Sequence, residues 1–431
     1  MAQNSYLGSG LLDDLPETNW PSLRGGLQEL ADSVAELAPF LPAGRPLLLS
    51  GEWGSGKTTL LLAMKNRLDE NKVPVVWFDA WRYEREATLL ASLIRAVWEQ
   101  STKPDKLKKT VFEPLWRSAL TIGLQFAPEI ASLAGFGFLK PLLKLLDPAA
   151  LQKGLDAVPT LETMVPPDDE ASELQKKFQT LLEEGWPNRP KEQKVVILVD
   201  DLDRCSPTGM VALLEGIRLL LVGTCDTPCS FVVALDKDVL AQAVAMHYAG
   251  ISGFDGHRYL EKIFSIHLSV PLPGPQEVSS LVSQFLTTDP SGDQRDALAS
   301  VLADPLFANP RLMKRCINRF RLVVKFEERA ARASGSPSSL APRNDRTLAR
   351  WIAATERWAT LRGLLLKRED QYWEKVAHSL RESGAPLPDQ EMEVLLREPG
   401  IRPWLQREML GRIPTVTEFR EADQRLRRWG L

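Results

Sequence analysis

Through residues 46–100 and again through 194–271, short apolar runs alternate with segments whose apolar residues recur every three or four positions. The runs Leu47-Leu48-Leu49-Ser50, Val73-Pro74-Val75-Val76-Trp77-Phe78-Asp79-Ala80, Val195-Val196-Ile197-Leu198-Val199 and Phe231-Val232-Val233-Ala234-Leu235 have strand length and no polar face, as strands covered on both sides do. A last run, Phe264-Ser265-Ile266-His267-Leu268-Ser269-Val270, alternates in part. Helices are expected over 60–68, over 84–100 with Leu89, Leu90, Leu93, Ile94 and Val97 on one side, and over 208–222 and 239–248. Upstream, Leu23, Leu27, Leu30, Val34 and Leu37 mark one face of an amphipathic helix over 22–38. Apolar strands alternating with helices predict an α/β fold, a parallel sheet with helices on both faces.

Residues 101–190 break this rhythm. They hold a lysine cluster (Lys103, Lys106, Lys108, Lys109), an apolar segment over 118–139 and an acidic stretch around Pro166-Pro167-Asp168-Asp169-Glu170, and are expected to form a largely helical insertion. The apolar segment is long enough to cross a bilayer, but Pro128 and Glu129 lie at its centre. A carboxylate at mid-bilayer costs roughly 2.5–3.5 kcal/mol. A buried or partner-facing helical hairpin is therefore favoured, with peripheral membrane contact through 118–146 as the alternative. From Pro275 onward the pattern is helical, and Ser334-Gly335-Ser336-Pro337-Ser338-Ser339 reads as a linker. The helices that carry Trp351, Trp358, Trp373, Trp404 and Trp429 show no catalytic pattern. The expected organisation is an N-terminal helix and first core part over 1–100, the insertion over 101–190, a second core part over 191–275, a helical lid over 276–333 and a C-terminal helical region over 340–431.

A chain of 431 residues is long enough for two or three compact units. Its 53 basic and 56 acidic side chains nearly cancel, so no global field recruits nucleic acid or an acidic partner. The four cysteines (Cys205, Cys225, Cys229, Cys316) form no paired Cys-x2-Cys motif, which argues against zinc and fits a reducing compartment. The start lacks the basic patch and apolar stretch of a signal peptide, so a cytoplasmic location is expected, with membrane association as the variant just described.

The first strand runs into Gly51-Glu52-Trp53-Gly54-Ser55-Gly56-Lys57-Thr58-Thr59 and then a leucine-rich helix. This is the Gly-x4-Gly-Lys-Thr spacing of a phosphate-binding loop between a strand and a helix. Glycines let backbone N–H groups curl around phosphates, Lys57 reaches the β- and γ-phosphates, and the Thr58 hydroxyl faces Mg²⁺. The implied ligand is a nucleoside triphosphate. Hydrolysis also needs a metal-ordering acid and a group that orients water. The run ending in Asp200-Asp201 offers both, Asp200 holding Mg²⁺ opposite Thr58 and Asp201 positioning water at the γ-phosphate; the plainer alternative is that both cap the helix starting near Pro207. Asp201 is shorter than a glutamate by one methylene, which leaves room for slow turnover.

Five motifs stand in order over about 270 residues: Gly51 to Thr58, Trp77-Phe78-Asp79-Ala80-Trp81-Arg82-Tyr83-Glu84, Val199-Asp200-Asp201-Leu202-Asp203-Arg204-Cys205, Tyr259-Leu260-Glu261-Lys262-Ile263 and Asn309-Pro310-Arg311-Leu312-Met313-Lys314-Arg315. Together they resemble the KAP family of P-loop NTPases, within the additional-strand branch close to the signalling NTPases. The resemblance implies Mg²⁺ and ATP as ligands, and members commonly carry membrane spans where 118–146 lie here. It further implies that Arg311 reaches the phosphates from a helical lid, and that Arg258 and Lys262 lie where related ring-forming ATPases place a finger for a neighbour's nucleotide. A solvated helix face is the alternative for each. Asp236 is read equally as a γ-phosphate sensor or a helix N-cap. Within 77–84, Asp79 is a candidate neighbour of the metal site and Arg82 a partner for Glu84, but support of the fold is favoured.

Residues 311–332 carry Lys314, Arg315, Arg319, Arg321, Lys325, Arg329 and Arg332 against Glu327 and Glu328. A solvated lid face is favoured over contact with nucleic acid. The resemblance leads to a slow ATP-hydrolysing switch with a protein partner or a second copy of itself, and, since bacterial relatives appear in phage-exclusion systems, to a role in anti-phage defence. The alternatives are a nucleotide-binding signalling scaffold with negligible turnover and a nucleic-acid-stimulated ATPase.

Overall fold

The computed structural model describes residues 11–12, 16, 26–42, 44–86, 88–126, 168–221, 227–249, 254–264, 266–285, 292–333, 345–382, 386–410 and 416–431. The apolar runs become strands β1 (Leu47–Ser50), β2 (Val75–Asp79), β3 (Val195–Asp200), β4 (Cys229–Leu235) and β5 (Ile266–Ser269). They form one parallel sheet in the order β2-β3-β4-β1-β5. Every residue of β1, β3 and β4 is buried, whereas β2 and β5, at the two edges, alternate in burial. That accounts for the partial alternation of the β5 sequence: an edge strand is covered less completely than a central one.

Successive side chains of one strand enter opposite cores. Leu47, Leu49, Val196, Leu198, Val232 and Ala234 pack with helices α1 (Gly26–Leu37) and α2 (Lys57–Glu70), through Ala31, Val34, Leu60, Leu61 and Met64. Leu48, Phe78, Ile197, Val199, Phe231 and Val233 face a larger core on the other side. That core is completed by α3 (Leu89–Glu99), α4 (Glu113–Phe126), α5 (Asp168–Gly185), α6 (Pro207–Leu221), α7 (Lys237–His247) and α8 (Gly256–Ile263). The α/β architecture expected from the hydrophobic pattern is the one observed.

Two local devices finish the sheet domain. At the β2 edge the Gln100 side-chain amide accepts from Trp77 N and donates to Trp77 O, both at 2.9 Å, so a side chain takes the place of a further strand. Behind α3, Thr102 donates to Gly185 O through both its backbone N (3.0 Å) and its hydroxyl (2.7 Å), and Trp98 stacks on Phe112 with centroids 4.2 Å apart. The described flanks of the segment read as an insertion thus share the main core, with Leu115, Ala119, Leu174 and Phe178 buried in it. Residues 127–146, where most of the apolar stretch falls, lie outside the described residues. Among the described residues no helix is long and apolar enough to cross a membrane.

The described residues divide into two compact units, Pro16–Pro271 and a second made of Leu272–Leu431 with Leu11 and Leu12 of the segment Met1–Leu15. The second is helical, with Trp351, Trp358, Trp373 and Trp404 buried in a single core. Its buried Asp423 accepts from Trp351 Nε1 (3.0 Å), Arg362 Nε (2.7 Å) and Arg427 Nε (2.7 Å). Helix α9 (Pro310–Ala333) carries the basic stretch, and much of its charge is matched inside the unit. Arg315 and Arg319 pair with Glu356 at 3.3 and 2.7 Å, and buried Arg321 donates to Phe285 O at 2.8 Å.

Candidate nucleotide site

Parallel strands bring their C-terminal ends to one edge of the sheet, where ligands of open α/β folds bind. Here that edge holds the loop after β1 and the acids after β3. Gly54 and Gly56 adopt φ of +86° and +101°, a conformation that disfavours any side chain. At Gly51 a Cβ would come within 2.5 Å of Ser55 Oγ, so a larger residue there would push that hydroxyl aside; Ser55 N closes the turn onto Glu52 O (3.0 Å). Ser55 is buried, and its Oγ has no hydrogen-bond partner among the described residues.

Lys57, the first residue of α2, is 8% exposed. Its Nζ donates to Gly51 O at 2.9 Å and Glu52 O at 3.4 Å and pairs with Asp203 Oδ2 at 3.3 Å. The same Asp203 oxygen accepts from Asp236 N at 2.9 Å, so one carboxylate joins the loop lysine to the end of β4. Asp236 itself caps α7 by accepting from Asp238 N, as the helix-cap reading expected.

Asp200, at the tip of β3, is 3% exposed and takes a hydrogen bond from the Thr58 side chain. Its Oδ1 has no hydrogen-bond partner among the described residues. Burial first, then the neighbouring Asp201, push its pKa up to about 7 against the Thr58 bond. A buried carboxyl with a spare oxygen, beside a threonine hydroxyl, is the donor set a hard cation such as Mg²⁺ takes, with phosphates supplying further oxygens. Among the described residues no group of three or more His, Cys, Asp or Glu is arranged to hold a metal ion, and a metal shared with phosphates needs none.

Asp201 follows in the left-handed region, with φ 54° and ψ 27°. Its Oδ1 pairs with Arg204 Nε at 2.9 Å. Burial raises its pKa and the Arg204 charge opposes that rise, with Asp79 and Asp203 adding to it. The Arg204 guanidinium lies over two rings, Trp53 of the phosphate loop at 5.7 Å and Trp81 at 5.3 Å. Cys205 is no nucleophile here, since burial pushes its thiol pKa up to about 12.

Lys57, Thr58, Asp200 and Asp201 therefore come together with the loop residues. Arg258 and Lys262 do not join them: both are exposed on α8, where Arg258 pairs with Asp255 at 3.6 Å. Arg311 belongs to the second unit, at the start of α9, where Asn309 Oδ1 caps Arg311 N (3.1 Å) and Leu312 N (3.2 Å). The 77–84 segment differs from expectation in detail. Glu84 accepts from Ser206 N at 2.6 Å rather than pairing with Arg82, whose backbone N donates to Asp79 Oδ1 at 3.1 Å. Trp53 is 67% exposed, with Arg204 over its ring. Sequence reasoning gave no role to Asp203 or Arg204, although both stand in the quoted motif. Their spacing in a single tight turn, Leu202–Arg204, was the available signal.

A glycine cradle at a helix start, a buried lysine and a hydroxyl–carboxyl pair at the edge of a parallel sheet define a P-loop NTPase. The model of the KAP family P-loop domain matches residues 27–326, more than half of the chain, and the chain belongs to that family. Membership implies nucleotide binding. None of the curated proteins compared with it matches. Among solved structures it is similar to the Aeropyrum pernix ORC2 protein in its ADPNP–ADP complexes, over 94% of each chain, at 10% identity and a TM-score of 0.39. A likeness at that level carries no argument about this chain.

Proposed function

We propose that the chain is a Mg-ATP-hydrolysing molecular switch. The observation that carries this reading is the Thr58–Asp200 pair, with an unpartnered carboxyl oxygen, set beside Lys57 and Asp201. In this reading Gly51, Glu52, Trp53, Gly54, Ser55, Gly56, Lys57, Thr58 and Thr59 wrap the phosphates, and Lys57 leaves Asp203 for the β- and γ-oxygens. Thr58 and Asp200 hold Mg²⁺, which when bound offsets the charge that develops on the transferring phosphoryl group. Asp201 orients the attacking water. Arg311 from the 276–333 lid, and Arg258 or Lys262 from a neighbouring copy, supply further positive charge at the γ-phosphate. Closure of the lid on triphosphate and its reopening after hydrolysis form the switch, in the cytoplasm, with anti-phage defence as the setting.

Phosphate release by wild type, Lys57→Ala and Asp201→Asn tests this. Both variants are expected to fall by roughly a hundredfold or more. Wild-type release no faster than that of Lys57→Ala would sink the ATPase reading. One second reading is a scaffold that binds nucleotide with negligible turnover and presents its helices to a partner. Tight nucleotide binding without release would select it.

A further inference from the structure

The Asp201 carboxylate is held from one side by a group whose own placement is fixed by two aromatic rings. Arg204 Nε lies 2.9 Å from Asp201 Oδ1, the guanidinium lies 5.7 Å above Trp53 and 5.3 Å above Trp81, and the residue is one turn from the acid it holds. Each contact comes from a different part of the chain: the phosphate loop, the segment after β2 and the turn after β3. The two rings are unusually exposed for tryptophans, at 67% and 52%. Burial of their own surface therefore does not account for where they stand. Nor does support of the sheet, because the contacts that tie the 77–84 segment to the core are made by others: Phe78 and Tyr83, which pack in the main core, and Glu84 on Ser206 N. What the two rings share is the Arg204 cation.

We infer that Arg204 is a positioning residue for ATP hydrolysis, held by Trp53 and Trp81 so that its Nε fixes the Asp201 carboxylate for water. The inference rests on the ATPase reading above. A left-handed residue outside glycine is held there by its surroundings, and an aspartate side chain on such a backbone keeps its rotational freedom unless something grips it. Arg204 grips one oxygen and leaves the other to accept from water. An arginine stacked on rings suits this task, since its planar fork keeps one orientation where a lysine would swing. The 77–84 signature thereby acquires a function: it delivers Trp81 to Arg204 and Glu84 to the turn after it.

The test uses the full chain. Arg204→Ala is expected to lower kcat by roughly ten- to a hundredfold, as a misplaced catalytic group does. Its Kd for Mg·ADP, read with a fluorescent analogue, is expected to stay within about twofold, because the ion pair that Arg204 makes is with Asp201, outside the phosphate loop. Millimolar guanidinium is expected to restore part of the lost rate in Arg204→Ala and none in Asp201→Asn, a response that a merely structural role would not give. Trp81→Ala is expected to lower kcat in the same sense, with the Arg204→Ala/Trp81→Ala double variant no slower than Arg204→Ala alone. Unchanged or raised kcat in Arg204→Ala, a Kd that moves as far as kcat, or the absence of rescue would overturn the inference while wild-type turnover kept the ATPase reading intact. A wild type that fails to exceed Lys57→Ala would overturn both.

Discussion

Asp200→Asn is expected to stabilise the nucleotide-free chain, and to do so far more at alkaline than at acidic pH. The wild-type carboxyl has its pKa pushed up from 3.8 to about 7, chiefly by burial. The unfolded chain keeps the ordinary value, so between these limits the folded state binds the extra proton and stability falls as pH rises. The loss grows by about 1.4 kcal/mol per pH unit and levels off above about pH 7. It therefore stands at about 1 to 2 kcal/mol at about pH 5 and about 4 kcal/mol at about pH 8. Asparagine keeps the shape and an acceptor for Thr58 but has no charge to bury. At about 2–4 °C per kcal/mol for a unit of this size, the variant's gain in thermal midpoint should be about 5–10 °C larger at pH 8 than at pH 5. Circular dichroism melts of both chains at the two pH values read it. Mg²⁺ with ADP is expected to close the gap by giving the wild-type carboxylate a counter-ion. An equal gain at both pH values, or a variant less stable than wild type at pH 8, would refute the reasoning.

Two further predictions concern carboxylates with defined partners. Asp203→Asn removes a negative charge 3.3 Å from Lys57 Nζ. With unit charges at about 4 Å interacting by about 4 kcal/mol at an effective dielectric of 20, even a fraction of that relief should tighten ADP binding by about fivefold or more in a fluorescence titration; weaker binding would mean that Asp203 orients the lysine rather than competing with phosphate for it. Asp423→Ala strips the acceptor from Trp351, Arg362 and Arg427 and should cost about 3 kcal/mol or more, read as a midpoint lowered by about 6 °C or more with ADP binding unchanged, and a loss below about 1 kcal/mol would show that those donors find water instead.

The sheet was legible because strands covered on both faces must be apolar throughout, and nothing else in the chain gives runs such as 195–199 next to helix-period segments. The phosphate loop was legible for a different reason: its glycines answer to backbone conformation, which no neighbour can supply in their stead. What the sequence could not disclose is which partner a polar side chain takes when several stand within reach. Glu84 looks placed for Arg82 along the chain but finds Ser206 N from 122 residues away. Asp203 reads as one more acid in a run, yet its neighbours in space are Lys57 and the backbone of Asp236. Trp53 stands in the phosphate loop, yet a cation from the turn after β3 lies over its ring. The basic stretch misleads in the same way, since Glu356, the partner of two of its arginines, lies on another helix. Such pairings depend on topology, and local pattern carries little of it.

The two hydrogen bonds of Thr102 to Gly185 O have a consequence for how this chain can vary. They tie together two points 83 residues apart and so close, at its base, the segment that holds α4 and α5. Lengthening such a segment costs little: doubling the number of residues in a loop adds only about 0.6 kcal/mol of closure entropy. The helices toward either end, α4 and α5, are anchored in the core. Added length between those two helices therefore costs the fold little, and the phosphate loop beside the sheet is untouched by it.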